Sequence, residues 1–187
     1  SRFLLVNASQ VVTCAGPAGA RRGGAMADAA PRERYAVAVR DDRIDAVGLE
    51  DELLRAYPDA DRVDCARGLL APGFVDSHTH AIFGRHRAAE QELRAAGMEY
   101  MEIARRGGGI HASVSDLRAH SEDELYALAR GRLRTLARSG VTTVEIKSGY
   151  GLDFDNEGKM LRVARKLGDR CGIDVRTTYL AAHALPP

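Results

Sequence analysis

LLAPGFVDSHTHAIFG, residues 69–84, is the stretch from which the fold is read. Pro72 and Gly73 turn the chain into an apolar strand over 74–80, which closes on His78 and His80. Successive strand side chains alternate faces, so Phe74, Asp76, His78 and His80 point one way. Two imidazoles at i and i+2 can reach one divalent ion, each through a ring nitrogen about 2.0–2.1 Å away if that ion is zinc. The spacing by itself also fits a pair of satisfied polar histidines. At the C-terminal rim of a barrel strand, such a face points into the mouth, where barrel enzymes place their chemistry.

Downstream, two further strand candidates, 141–147 and 175–182, alternate with helical segments and Gly-rich loops, the pattern of βα units around a parallel sheet. The clearest helix spans 121–139. Ser121 and Glu124 form a capping box, Leu125, Leu128, Leu133 and Leu136 make an apolar stripe, and Gly140 marks the stop. A second helix, 156–167, carries Met160, Leu161, Val163 and Leu167.

Upstream, 3–6 and 11–13 are short apolar runs, and the Gly-, Ala- and Arg-rich segment 14–34 reads as a long loop. Strands are expected at 35–39 and 44–47, joined by a turn at Asp41 and Asp42, with a short helix over Glu50–Ala56. These strands are too few and short to bury a core alone. Residues 1–69 are therefore expected to be the N-terminal part of a composite β-sandwich domain, and 70–187 the N-terminal part of a barrel. A (β/α)8 barrel takes roughly 250 residues, whereas 117 residues follow Leu70. About three of eight βα units are expected. An ending on Leu185, Pro186 and Pro187 directly after a strand reads as a truncation.

The bulk properties narrow the partners. The chain has 187 residues, 45% hydrophobic and 28% charged, with a formal net charge of +1, values of a globular protein with no nucleic-acid footprint and no polybasic membrane patch. Small molecules and other subunits are the expected partners. Cys14, Cys65 and Cys171 form neither a CxxC pair nor a secreted-type framework, which fits a reducing cytoplasm. No stretch approaches the roughly 20 apolar residues of a membrane span, and the opening SRFLLVNASQVVT lacks signal-peptide features. With no initiating methionine, the start reads as trimmed.

The string PGFVDSHTH resembles the first metal-binding strand of the amidohydrolase superfamily. HTHAIFG followed by Arg87, MEYMEIARRGGGIHASV, GVTTVEIKSGYGLD, KMLRVARKLG and TTYLAAHALPP narrow this further, since they are similar to imidazolonepropionase segments in the same order. The resemblance covers about residues 70–187, and before that it is one of layout only. It implies an α/β fold, a (β/α)8 TIM-type metal-dependent hydrolase barrel preceded by part of a small β-sandwich. It also implies one divalent metal ion, zinc or iron, on His78 and His80. Substrate contacts fall on Arg87, Tyr150 and His183, with Tyr100 as a further pocket residue. The implied reaction is hydrolysis of 4-imidazolone-5-propanoate to N-formimino-L-glutamate in histidine degradation, in a cytoplasmic homodimer. The remaining metal ligands, a histidine and an aspartate, and the acid/base glutamate would lie beyond Pro187, so the isolated chain is expected to be inactive.

The residue types suit these roles. Arg87, seven residues past His80, offers a planar fork to the propionate carboxylate, although alone it reads as a solvated surface arginine. Tyr150 sits between Gly149 and Gly151, which allow close approach of the backbone to a ligand; otherwise it is an ordinary loop tyrosine. His183, ending the third strand, can donate from a neutral imidazole to the ring oxygen or ligate metal, and the resemblance favours the substrate. Glu145 and Lys147 share a strand face and read as an interior pair positioning the rim rather than a carboxylated-lysine metal bridge. Gly107 to Gly109 read as a substrate-covering loop, with no Walker lysine following. His86 and His111 receive no role, and His120 is expected at the surface. The rivals are another amidohydrolase, such as a formiminoglutamate deiminase or hydantoinase-like enzyme, which would lack SGYGLD and GGGIH, and a non-catalytic truncated fragment.

Overall fold

The β-hairpin foreseen around Asp41 and Asp42 forms, with Arg40 paired to Arg43 across the turn. Asp41 takes a φ of 56°, a left-handed value that Asp adopts more readily than most residues. In the computed structural model, residues 2–186 are described, and Ser1 and Pro187, the outer limits of the two expected domains, lie outside the described residues. The chain divides into two compact units, Ser1–Pro72 and Gly73–Pro187.

The first unit runs β1 (Arg2–Val6), β2 (Gln10–Val12), β3 (Pro31–Arg32), β4 (Tyr35–Arg40), β5 (Arg43–Leu49), α1 (Glu50–Ala56), β6 (Asp61–Asp64) and β7 (Leu69–Leu70). One sheet has the order β5-β4-β1-β6 and another β3-β2-β7. Leu4, Ala36, Ala38 and Leu53 form its buried core, so α1 covers one face of the larger sheet. Strand β6 escaped the sequence pattern because all four of its residues are exposed. Parallel main-chain pairing with β1 holds it, rather than side-chain burial. The expected loop at 14–34 contains a 3-10 turn over Gly23–Ala27 and the two residues of β3.

The second unit runs β8 (Phe74–Thr79), α2 (Ala88–Ala95), α3 (Tyr100–Arg105), α4 (Gly109–Ala119), α5 (Glu122–Arg138), β9 (Val141–Lys147), α6 (Phe154–Cys171) and β10 (Asp174–Thr178). Its sheet is parallel throughout, in the order β10-β9-β8, with helical connections between the strands, so this is an α/β unit. At the start of α5, the Ser121 hydroxyl accepts from the Glu124 amide, and the Glu124 carboxylate accepts from the Ser121 amide. Gly140 follows that helix at a φ of 87°, a value glycine adopts without strain. Helix α6 is capped by Asp153 and ends at Gly172 in the left-handed conformation.

The core joins Leu125, Ala129 and Leu133 of α5 to Met160, Val163, Ala164 and Leu167 of α6, over Val144 and Ile146 of β9. Truncating a buried leucine of such a core to alanine costs about 2–5 kcal/mol. Leu128, expected in the apolar stripe, is instead exposed.

Three short helices, α2 to α4, occupy residues that carried no clear helical stripe. Helix α2 buries none of its residues and α3 buries only Ile103, which leaves little periodicity to read. Gly107 and Gly108 separate α3 from α4, and Gly109 already belongs to α4, so the expected covering loop is a helix junction. Strand β10 stops at Thr178 rather than continuing to 182, because the chain turns away where the Leu180 amide bonds the Ser148 hydroxyl at 2.9 Å. Among the described residues no helix is long and apolar enough to cross a membrane.

Candidate functional site

Among the described residues strand β8 pairs only with β9, and its register shifts between Asp76 and Thr79. Such an irregularity re-aims side chains near a strand end. The two imidazoles leave the strand end with ring centroids 5.5 Å apart. His80 stacks on His183 at 4.6 Å and lies 5.1 Å from Tyr150, while Tyr150 and His183 are 5.7 Å apart. Four residues singled out from sequence, on three separate segments, therefore meet at the C-terminal end of the parallel sheet.

The electrostatics favour a neutral imidazole at His80. Burial pushes its pKa down, and the neighbouring His183 and His78 push it the same way. Its Nδ1 is buried without a hydrogen-bond partner among the described residues. No group of three His, Cys, Asp or Glu side chains able to hold a metal ion is assembled among the described residues.

His183 lies five residues past the end of β10 rather than at the strand end. Its Nδ1 is 3.1 Å from the Gly149 carbonyl, which can only accept, so Nδ1 carries the proton. In the neutral ring, Nε2 then offers a lone pair. A side chain at Gly149 would collide with His183, its Cβ falling 2.6 Å from Nδ1.

On β9, Val144 and Ile146 are buried in the core while Glu145 and Lys147 occupy the opposite face. Lys147 pairs with Glu145, which also accepts from the Thr178 hydroxyl at 2.6 Å. The Lys147 and Thr178 hydrogen bonds hold the Glu145 carboxyl below the usual glutamate range. The expected pairing of Glu145 with Lys147 is formed.

Arg87 and Tyr100 stand apart from the imidazole cluster. Arg87 precedes α2, and its guanidinium pairs with Glu90 at 3.2 Å. Tyr100 opens α3 and is exposed. Glu90 accepts from the Gly109 amide at 3.1 Å, tying the Arg87 segment to the start of α4. Among the described residues no hydrogen bond, ion pair or ring contact joins Arg87 or Tyr100 to His78, His80, Tyr150 or His183.

Three residues that sequence reading passed over hold this site in place. Glu157 is fully buried and accepts from the amides of Gly149, Gly151 and Leu152 at 2.8, 2.7 and 2.7 Å. The available signal was its place on the apolar face of α6, three residues before Met160. Arg132 on α5 donates to the carbonyls of Ala81, Phe83 and Gly84 and lies 3.4 Å over the Phe83 ring, pinning the chain just after His80. Arg118 on α4 donates to the Gly151 carbonyl at 3.0 Å and pairs with Asp153 at 2.9 Å. His120, expected at the surface, is partly buried with Nδ1 2.6 Å from the Asp116 carbonyl.

A family profile for the imidazolonepropionase-like composite domain of bacteria matches residues 36–60. The chain is 52% identical over 151 residues to imidazolonepropionase of Brucella anthropi, covering 81% of this chain and 37% of that protein. The imidazolonepropionase of Mesorhizobium japonicum is 52% identical over 156 residues, covering 83% of this chain and 38% of its own length. The chain therefore spans well under half the length of these curated relatives. Among solved structures, the ochratoxinase of A. niger superposes with a TM-score of 0.55 at 16% identity, over 94% of this chain and 30% of that one. Atrazine chlorohydrolase of Arthrobacter aurescens, solved with zinc and atraton, superposes with a TM-score of 0.52 at 19% identity, over 94% of this chain and 35% of that one. At these identities the likeness is one of fold.

Proposed function

We propose that the chain belongs to the imidazolonepropionase family, whose members it matches over their N-terminal portion, and that the whole protein hydrolyses 4-imidazolone-5-propanoate to N-formimino-L-glutamate. The observation that carries the proposal is the meeting of His80, Tyr150 and His183 within 4.6–5.7 Å at one sheet end, in a chain so similar to these hydrolases. The N-terminal unit is read as part of a composite β-sandwich, and the second unit as three strands of an eight-stranded barrel.

His78 and His80 fit a divalent metal, zinc or iron, both of which accept imidazole ligands. The partnerless Nδ1 of His80 and the pressure of burial toward a neutral ring support that fit. A bound divalent ion supplies a low-pKa water near neutral pH and polarises a carbonyl. The chain's own residues then orient the substrate. His183 accepts through Nε2 from a ring N–H, and Tyr150 offers its hydroxyl to the polar ring. Arg87 would leave Glu90 for the propionate carboxylate, making a charge-assisted, bidentate contact. Tyr100 lines the same pocket. In the net reaction a water oxygen joins the carbonyl carbon, the ring C–N bond breaks, and the nitrogen takes a proton. The acid/base carboxylate and remaining ligands are assigned to residues outside this chain. A homodimer, acting in the cytoplasm on this small molecule alone, completes the proposal.

Purified whole protein should consume imidazolone propionate, read as loss of the imidazolone absorbance, and contain stoichiometric divalent metal. His80→Ala should remove both. Turnover of a formiminoglutamate deiminase substrate with no loss of imidazolone absorbance would overturn the proposal.

A further inference from the structure

Residues 149–152 form the loop between β9 and α6, and its conformation is costly to hold. Gly149 has a φ of 121° and Leu152 a φ of 53°, the latter a left-handed value that a leucine rarely adopts. Gly151 has no room for a Cβ, which would fall 2.4 Å from the Glu157 amide nitrogen and 2.6 Å from the Asn156 carbonyl carbon. Three amides of this loop converge on one carboxylate. Gly149 donates to Oε2 of Glu157, and Gly151 and Leu152 donate to Oε1. No cation pairs with that fully buried carboxylate among the described residues. Its burial is offset by charge-assisted hydrogen bonds from backbone amides alone.

The consequence falls on Tyr150. Its hydroxyl makes no hydrogen bond among the described residues; its ring packs against the core and beside His80 and His183, and the backbone on either side sets the point from which it reaches them. His183 leans on the same loop, its Nδ1–H donating to the Gly149 carbonyl and thereby fixing which nitrogen faces outward. On the other side of the loop, Arg118 donates to the Gly151 carbonyl.

We propose that Glu157 is a positioning residue of the site: its carboxylate gathers the amides of residues 149, 151 and 152, and so sets the place of Tyr150 and of the Gly149 carbonyl on which His183 leans. The inference rests on the proposed function for its activity readout, and on structure alone for its second readout. Arg118 assists from the carbonyl side of the loop. Neither side chain is among those proposed to contact substrate.

Replacing the carboxylate by an amide, Glu157→Gln, sets an NH2 group against an N–H of the loop and breaks at least one of the three bonds. In the whole protein, KM for imidazolone propionate should rise on the order of tenfold to a hundredfold, the scale of a misplaced contact, with metal content unchanged. In a Tyr150→Phe background the same substitution should cost less than it does alone, because the hydroxyl that it misplaces is already gone. Losses that multiply in full would overturn the proposal, since Glu157 would then act independently of Tyr150. If Glu157→Gln does not fold, Arg118→Ala, which leaves no buried charge behind, should raise KM in the same direction by a smaller factor; an unchanged KM overturns the proposal. A crystal structure of whichever variant folds separates the two claims. Tyr150 in its original place overturns the positioning role whatever the substrate, whereas a wild-type protein inactive on imidazolone propionate overturns only the proposed function.

Discussion

The loop that carries Tyr150 and the segment that carries Arg87 lie in the same compact unit and are built in opposite ways. Around Tyr150 the backbone itself is held, by three amides on a buried carboxylate and by an arginine on a carbonyl. Around Arg87 the ties are made by one partly exposed carboxylate, Glu90, which meets a side chain and the first amide of α4. Backbone ties shut away from water fix a position before any ligand arrives. Exposed side-chain ties yield at little cost, because water replaces them. One region is preorganised and the other is free to rearrange.

The largest difference between them should appear on adding one methyl group at Gly151. The nearest atoms are main-chain atoms of Asn156 and Glu157, which cannot swing aside as a side-chain tip can. Gly151→Ala should lower stability by about 1–3 kcal/mol, the usual cost of overpacking, and raise KM as Glu157→Gln does. Denaturant unfolding measures the first effect. An unchanged midpoint would mean that the loop is not tightly held, and the contrast with the Arg87 segment would fail.

Legibility in the sequence follows the same contrast. Helix α5 and strand β9 could be read because their determinants are local: a capping box with a closing glycine in one, strict alternation over Val144 and Ile146 in the other. His80 and Tyr150 stood out through the residues beside them. Glu157 did not, because a glutamate in the first turns of a helix is what the helix dipole favours anyway, so nothing marked it as buried. Only its alignment with Met160 and the apolar face of α6 carried the information. Arg132 was hidden for the same reason, since an arginine on an amphipathic helix reads as solvated. Strand β6 was illegible because its pairing with β1 is a main-chain matter on which Asp61, Arg62 and Asp64 carry no trace.

A smaller effect is expected from acid. Asp153 caps α6 at the edge of the Tyr150 loop, and its carboxyl is held below the usual aspartate range by the Asn156 amide first, then by the Asn156 side chain and Arg118. Its contribution is therefore fully present above the ordinary aspartate pKa of about 3.9 and is lost as the pH falls through the lower folded value. Asn caps a helix about as well as Asp. Asp153→Asn should thus leave stability at neutral pH little changed while flattening the acid limb of the profile below about pH 4. An acid limb as steep as that of the parent would show that this carboxylate does not couple the loop to pH.

The smallest change in stability, paired with a large one in binding, is expected at Arg87. Its contact with Glu90 lies within one turn, three residues apart, and its side chain is more than a third exposed. Such pairs contribute about 0–1 kcal/mol, so Arg87→Ala should shift the unfolding midpoint very little. If Arg87 is the residue that takes the propionate carboxylate, the loss belongs to substrate and transition state alike. KM should then rise with kcat nearly unchanged. Glu90→Gln sharpens the test from the other side. It keeps an acceptor for the Gly109 amide but removes the charge that competes for Arg87, so KM should hold or fall. A fall in kcat with KM unchanged in Arg87→Ala would instead place Arg87 at the reacting atoms, and the division between a preorganised ring site and a yielding carboxylate arm would not stand.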